Sequence, residues 1–126
     1  MSRLRHLLAI LVLLAASLPA AANPADAPPY EKDLHRLAEI LGAVHYLREL
    51  CEADEGQTWR SLMQQLIDAE NPSPERRARL VNSFNRGYHG FQQSYRRCTE
   101  TAVHVIGSYM DEGSEIAQRI ASRYGR

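Results

Sequence analysis

The chain has 126 residues, with 15 Lys or Arg against 15 Asp or Glu, 44% hydrophobic residues and 24% charged ones. The first 22 residues hold Arg3 and Arg5 and no acid, so without them 13 bases face 15 acids, a net charge of −2 on about 104 residues. This is the composition of one small globular domain; it argues against a disordered chain, and the missing basic excess argues against a dedicated nucleic-acid binder.

Residues 1–22 read as a secretory signal. A short basic start, Met1 to His6, precedes the apolar run Leu7 to Leu18; Pro19 breaks it, and Ala20-Ala21-Ala22 offers the small residues of a cleavage site. The run, about 12 residues, is well short of the roughly 20 that cross a bilayer as a helix, which disfavours an uncleaved anchor. No arginine pair and no cysteine lies in this region, so the expectation is export in unfolded form, cleavage near Ala22 and a periplasmic product with no transmembrane segment. Cys51 and Cys98 are the only cysteines, and an oxidising compartment would join them. Closing such a loop contributes about 4 kcal/mol in the chain-entropy model. No C-x-x-C pair points to redox chemistry.

Asn23 to Pro29, with three prolines, reads as a flexible leader. From residue 30 to 126 the apolar residues recur every three or four positions and no strand alternation appears, which predicts one all-α domain. The first helix spans about Tyr30 to Cys51, with Leu34, Leu37, Ala38, Leu41, Val44, His45 and Cys51 on one side. The acidic stretch Glu52 to Gly56 ends it. The second, about Thr58 to Ala69, presents Trp59, Leu62, Met63, Leu66 and Ile67. Ser73 is an N-cap for the third, with Pro74 in the first turn and Glu75 complementing the dipole. That helix, about Pro74 to Arg97, aligns Leu80, Val81, Phe84, Tyr88, Phe91, Tyr95 and Cys98. The fourth starts at Thr99 and carries Ala102, Ile106, Tyr109, Met110, Gly113, Ile116, Ala117, Ile120 and Tyr124 as its core stripe. Short connections favour antiparallel neighbours, hence a small up-down-up-down four-helix bundle. In that topology helices one and three end at the same end of the bundle, where Cys51 and Cys98 meet as one disulfide.

Several stretches carry a family resemblance: Tyr30 to Leu34, Leu37 to Arg48 with Cys51, Trp59, Leu66 to Glu70, Pro74 to Leu80, and Phe84 to Tyr88. Over nearly the whole mature chain the protein resembles an uncharacterised family of small exported alphaproteobacterial proteins, one of the domain-of-unknown-function families. The resemblance implies a signal segment, two cysteines and a helical body; it implies no activity, cofactor or catalytic residue.

The charged residues and the histidines are the remaining candidates for a site. Glu49, Glu52, Asp54 and Glu55 cluster, but the order and closing acid of a calcium loop are wanting. His35 with Glu39 and His45 with Glu49 have i,i+4 spacing, the mark of surface pairs; no Glu-x-x-His motif suggests a di-iron bundle, and no C-x-x-C-H a haem. His45 lies on the apolar side of helix one and reads as a buried core histidine. Six arginines and one acid between Ser73 and Cys98 make the third helix basic, whereas residues 30–55 carry seven acids and three bases. At about 100° per residue Arg79, Arg86 and Arg97 align, with Arg76 nearby. Gly42 and Gly113 fit close helix approach, as do Gly87 and Gly90, which otherwise permit a kink or a small groove.

The sequence thus predicts an exported, disulfide-linked helical protein that binds an envelope protein or other anionic envelope component through Arg76, Arg79, Arg86 and Arg97. No cofactor, metal site or catalytic residue is expected. One alternative is a small-molecule or metal binder with His45 and Tyr88 lining a gap between helices. Another is a hydrolase using carboxylates around Glu39 and Asp68, which requires two acids to converge with one pKa raised.

Overall fold

A computed structural model describes residues 27–125. The expected signal segment, residues 1–22, and most of the leader lie outside the described residues. Four helices follow in order: α1 (Glu31–Leu50), α2 (Thr58–Glu70), α3 (Pro74–Ser94) and α4 (Glu100–Tyr124). None is long and apolar enough to cross a membrane.

Local chemistry sets most of the boundaries. Glu31 and Asp33 place negative charge in the first turn of α1 and Arg48 positive charge in its last, both favourable to the helix dipole. Asn71 terminates α2 in the left-handed region, φ 44° and ψ 55°, which Asn tolerates better than most residues. Ser73 caps α3, its side chain accepting from the Arg76 amide at 3.2 Å, with Pro74 in the first turn. Thr99 caps α4 in the same way, accepting from the Ala102 amide at 3.0 Å.

The third helix is shorter than the periodicity predicts. It stops at Ser94, and Tyr95 is extended, φ −120° and ψ 118°. Two ties account for this: the Tyr46 hydroxyl donates to the Tyr95 carbonyl, and Cys98 is bonded to Cys51, with 4.9 Å between their Cα atoms. A helix continued through Arg97 would carry Cys98 along the α3 axis instead of back to the end of α1.

The helices alternate in direction. Glu31 meets Arg76, His35 meets Ser83 and Tyr46 meets Tyr95, so α3 runs parallel to α1. Asp33 meets Arg119 and Arg36 meets Glu112, so α4 runs antiparallel to it. Tyr30 meets Glu70 at one end, and His45 and Trp59 share a cavity at the other, which makes α2 antiparallel too. The up-down-up-down bundle with one disulfide is therefore what the chain forms. Its arrangement departs from a square, in which α1 and α3 would sit diagonally. Here α1 is central, buried nearly all round from Ile40 to His45, and each other helix packs on it. Among the described residues the backbone of α4 approaches neither α2 nor α3; Phe91 and Tyr109 bridge α3 and α4 through their rings, 5.4 Å apart.

Glycine permits the central pairing. A Cβ on Gly42 would run into the Phe84 carbonyl, and one on Gly87 into the Glu39 carbonyl. The two backbones are thus in contact, closer than side chains usually allow. Gly113 lets α4 lie on Ile40, whose Cγ2 would stand 3.3 Å from an added Cβ, whereas Gly90 faces open space. The core runs along α1 in three clusters: Leu34, Ala38, Leu41, Met63, Ile67, Leu80 and Phe84; Ile40, Val44 and Ile116; and Leu47, Ala102 and Ile106 near the disulfide.

Candidate functional site

The stripe reading of α4 places Met110, Ala117 and Tyr124 in the core, and that of α2 places Leu62 there. The structure leaves all four in water: Leu62 is 39% exposed, Met110 41% and Tyr124 44%, and Ala117 is exposed as well. The cause is the separation of α2 from α4. Each buries one flank against α1, and among the described residues no helix lies between the flanks they turn toward one another.

The result is an open apolar groove of about 450 Å³. Leu37, Ile40, Leu41 and Val44 of α1 form its floor. Trp59, Leu62 and Leu66 of α2 form one wall, and Tyr109, Met110, Gly113 and Ala117 of α4 the other. Its polar members are Glu70 and Ser114, and Glu70 is engaged by Arg76 at 2.8 Å. Beside the end that carries Glu70, the Tyr30 ring lies 5.0 Å from that of Tyr124 and its hydroxyl donates to Glu70 at 3.4 Å. At the other end Glu55 accepts from the Trp59 indole at 2.6 Å and also holds Arg48, so the acidic stretch after α1 orients the tryptophan. Covering the exposed parts of Leu62 and Met110 would be worth about 1 kcal/mol each.

Arg76 is not available to a partner. It is largely buried, 11% exposed, and bonded to Glu31 at 2.7 Å and Glu70 at 2.8 Å, pinning α3 to α1 and α2; those carboxylates hold its guanidinium pKa above the usual value, against the opposing effect of burial. Arg86 stands 3.7 Å from Glu39. Arg97 lies beyond the end of α3, so the helical register that would align it with Arg79 and Arg86 does not extend to it. Arg79 and Arg97 are exposed and make no ion pair among the described residues. The four arginines are not one continuous face.

His45 is a buried core histidine, as its place on α1 suggests. Its ring lies 5.6 Å from that of Tyr88 and 6.2 Å from that of Phe84, and desolvation holds its pKa below the usual value, the nearby Glu49 opposing this and Arg60 reinforcing it. His45 and Tyr88 are packed together and do not flank a gap. The cavity beside His45 is another one, about 250 Å³, lined by Arg48, Glu49, Asp54, Glu55 and Trp59 without Tyr88. Among the described residues no group of three or more His, Cys, Asp or Glu gathers as a metal site.

The acids of the hydrolase alternative are held apart by different partners. Glu39 faces Arg36 at 3.5 Å and Arg86 at 3.7 Å, while Asp68 is exposed on α2 and accepts from Gln64 at 2.8 Å. Sequence reading also missed a constellation. His35 Nδ1 lies 2.7 Å from Ser83 Oγ and its Nε2 lies 3.3 Å from Glu31 Oε1, a serine–histidine–acid row in which the two ring nitrogens are exchanged relative to a hydrolytic triad. Ser83, however, is 2% exposed, and its hydroxyl also contacts the Arg79 carbonyl at 3.2 Å. Without access for a carbonyl substrate, the three residues serve as a polar clip between α1 and α3. Their separations in sequence, 48 residues for His35 and Ser83, leave no motif to read.

No curated protein and no solved structure matches the chain. A family model does, over residues 29–124, from the start of α1 to the end of α4, and its description is "Protein of unknown function (DUF2385)". The four helices, the disulfide and the groove all fall inside that match, and the chain belongs to this family.

Proposed function

We propose that the protein is an exported envelope component that works by binding, with no chemistry of its own, and that its binding site is the groove between α2 and α4. The observation that carries this reading is the exposure of Leu62 and Met110 on opposite walls of one apolar cleft. Contiguous apolar surface of this kind marks ligand or partner sites. Export to the periplasm rests on the signal pattern of residues 1–22 and agrees with the Cys51–Cys98 disulfide, which an oxidising compartment maintains. The rival surface is the exposed part of the α3 arginines, offered to an anionic envelope partner.

Nile red, an uncharged apolar dye, tests the groove. The purified protein is expected to bind about one equivalent with a rise in dye emission and energy transfer from Trp59, the only tryptophan. Met110→Glu should abolish the signal without lowering thermal stability, because the side chain is already half in water. The triple change Arg79→Gln, Arg86→Gln, Arg97→Gln should leave it intact. Dye binding unaltered by Met110→Glu, or none in the parent protein, would remove the groove as the site and return weight to the arginines.

A further inference from the structure

Glu55 takes up the N–H donors at the end of α1 and the start of α2. It accepts from the Trp59 indole at 2.6 Å and holds Arg48 by a hydrogen bond and an ion pair. Both side chains line the polar cavity of about 250 Å³ at this end of the bundle, together with His45, Glu49 and Asp54. Glu49 and Asp54 are exposed and enter no hydrogen bond or ion pair among the described residues. With Arg48 set against Glu49, Asp54 and Glu55, the lining carries a net charge of −2 when His45 is neutral. The binding capacity left over is that of acceptors.

His45 points the same way from inside the fold. It is 6% exposed, and neither ring nitrogen has a hydrogen-bond partner among the described residues, yet neither is sealed off. Buried polar side chains are as a rule hydrogen-bonded, so an open imidazole at this depth is unusual. Its ring packs toward Tyr88 and Phe84 of α3. The charges that act on it, Glu49 and Arg60, come from the opposite quarter, the end of α1 and the start of α2. The open nitrogens therefore face the cavity. Desolvation favours the neutral ring, which presents one acceptor nitrogen and one N–H.

We propose that this cavity binds a small organic cation with a primary ammonium group, held by His45, Glu49 and Asp54 beside Trp59. An ammonium has three N–H donors and no acceptor, which matches one ring nitrogen and two carboxylates. With its own N–H turned to Glu55, the indole offers the ligand its π surface, which attracts a cation. An anion would meet a negatively charged lining. The volume lies below the roughly 300–1,000 Å³ of pockets for drug-sized ligands, which limits the ligand to a short chain beyond its ammonium. The site is distinct from the groove, although Trp59 lines both.

The test titrates the purified protein with four probes: butylammonium, tetramethylammonium, butyrate and Zn²⁺ alone. It reads the His45 ring nitrogens by ¹H–¹⁵N correlation and Trp59 by its emission. Butylammonium is expected to saturate a single site, moving a His45 nitrogen and the Trp59 emission together. Tetramethylammonium, a cation without N–H, and butyrate should bind at least tenfold more weakly. Glu49→Gln with Asp54→Asn, both at exposed positions, should weaken butylammonium at least tenfold with melting unaltered. His45→Gln should weaken it as well, and the double variant carries the test should that protein fail to fold. Asp111→Asn, an acid of α4 outside this cavity, should change nothing. Equal binding of tetramethylammonium or butyrate, or undiminished binding of butylammonium by the double variant, would overturn the proposal. Tighter binding of Zn²⁺ at the same His45 nitrogen would overturn it in favour of a metal, and no saturable response to butylammonium would end it. None of these outcomes bears on the groove, which the dye tests separately.

Discussion

Gly42 and Gly87 face one another's helix with carbonyl oxygens where their side chains would be. Glycine inside a helix costs about 1 kcal/mol relative to alanine, and here the cost is offset by direct contact between α1 and α3. Gly42→Ala and Gly87→Ala should each lower stability by about 2 kcal/mol, since the added methyl meets backbone and forces the helices apart. Gly90→Ala, in open space on the same helix as Gly87, should raise it by up to about 1 kcal/mol. Urea unfolding of the three variants checks both directions. Sequence alone marks these glycines as candidates for close packing, but does not say that Gly87 is in contact and Gly90 is not. That difference depends on which face of α3 meets α1, and Phe84, Tyr88 and Phe91 leave the face broad.

At the level of the elements, α1, α2 and α4 run as their periodicity predicts, and the end of α2 and the starts of α3 and α4 are set by Asn71, Ser73 and Thr99, which act locally on the residues beside them. The end of α3 is decided at a distance. Tyr46 and Cys51 hold the segment from Tyr95 to Cys98 out of the helix, against the helical preference of Arg96 and Arg97. Replacing both cysteines by serine should cost about 4 kcal/mol. It should also speed amide exchange from Tyr95 to Ala102, where α4 begins, well before the N-terminal end of α3. Hydrogen exchange of the variant against the parent, with urea unfolding alongside, measures both effects. Unchanged exchange over Tyr95 to Ala102 would show that Tyr46 suffices to hold the turn.

For the whole molecule, α4 is fastened to α1 by the apolar stripe and by two ion pairs. Arg119 donates to Asp33 at 3.0 and 3.2 Å, and Arg36 to Glu112 at 2.7 and 2.8 Å, with Arg36 stacked 5.1 Å over Tyr109. The hydrogen bonds from these arginines hold the Asp33 and Glu112 pKa values below the usual carboxylate range. Depressed carboxylate pKa values contribute stability above the unfolded values, about 4, and that contribution is lost as pH falls through the folded values. His45 acts in a higher window. Its folded pKa is depressed, so the unfolded chain takes up the proton first, and stability declines as pH falls below about 6.5 toward the folded value. Melting temperature should therefore fall in two stages on acidification, and His45→Gln should remove the upper one. The exposure of the Asp33–Arg119 and Arg36–Glu112 pairs keeps the lower stage small.

Hydrophobic spacing, the caps and the two cysteines determine that the chain makes four helices in alternating directions joined by one disulfide, because each of these signals acts through neighbours in sequence or through topology alone. The burial of His45 is legible for the same reason, from its place beside Leu41 and Val44. Which helix becomes central, which arginines are consumed and where apolar surface is left over are decided only in three dimensions. Gly42 and Gly87 draw α1 and α3 together, Arg76 is absorbed by Glu31 and Glu70, and α4 is left packing on α1 with Met110 and Ala117 exposed along the groove. A helical stripe records that Met110 and Leu62 favour leaving water. It does not record whether a neighbouring helix will cover them, and among the described residues none does.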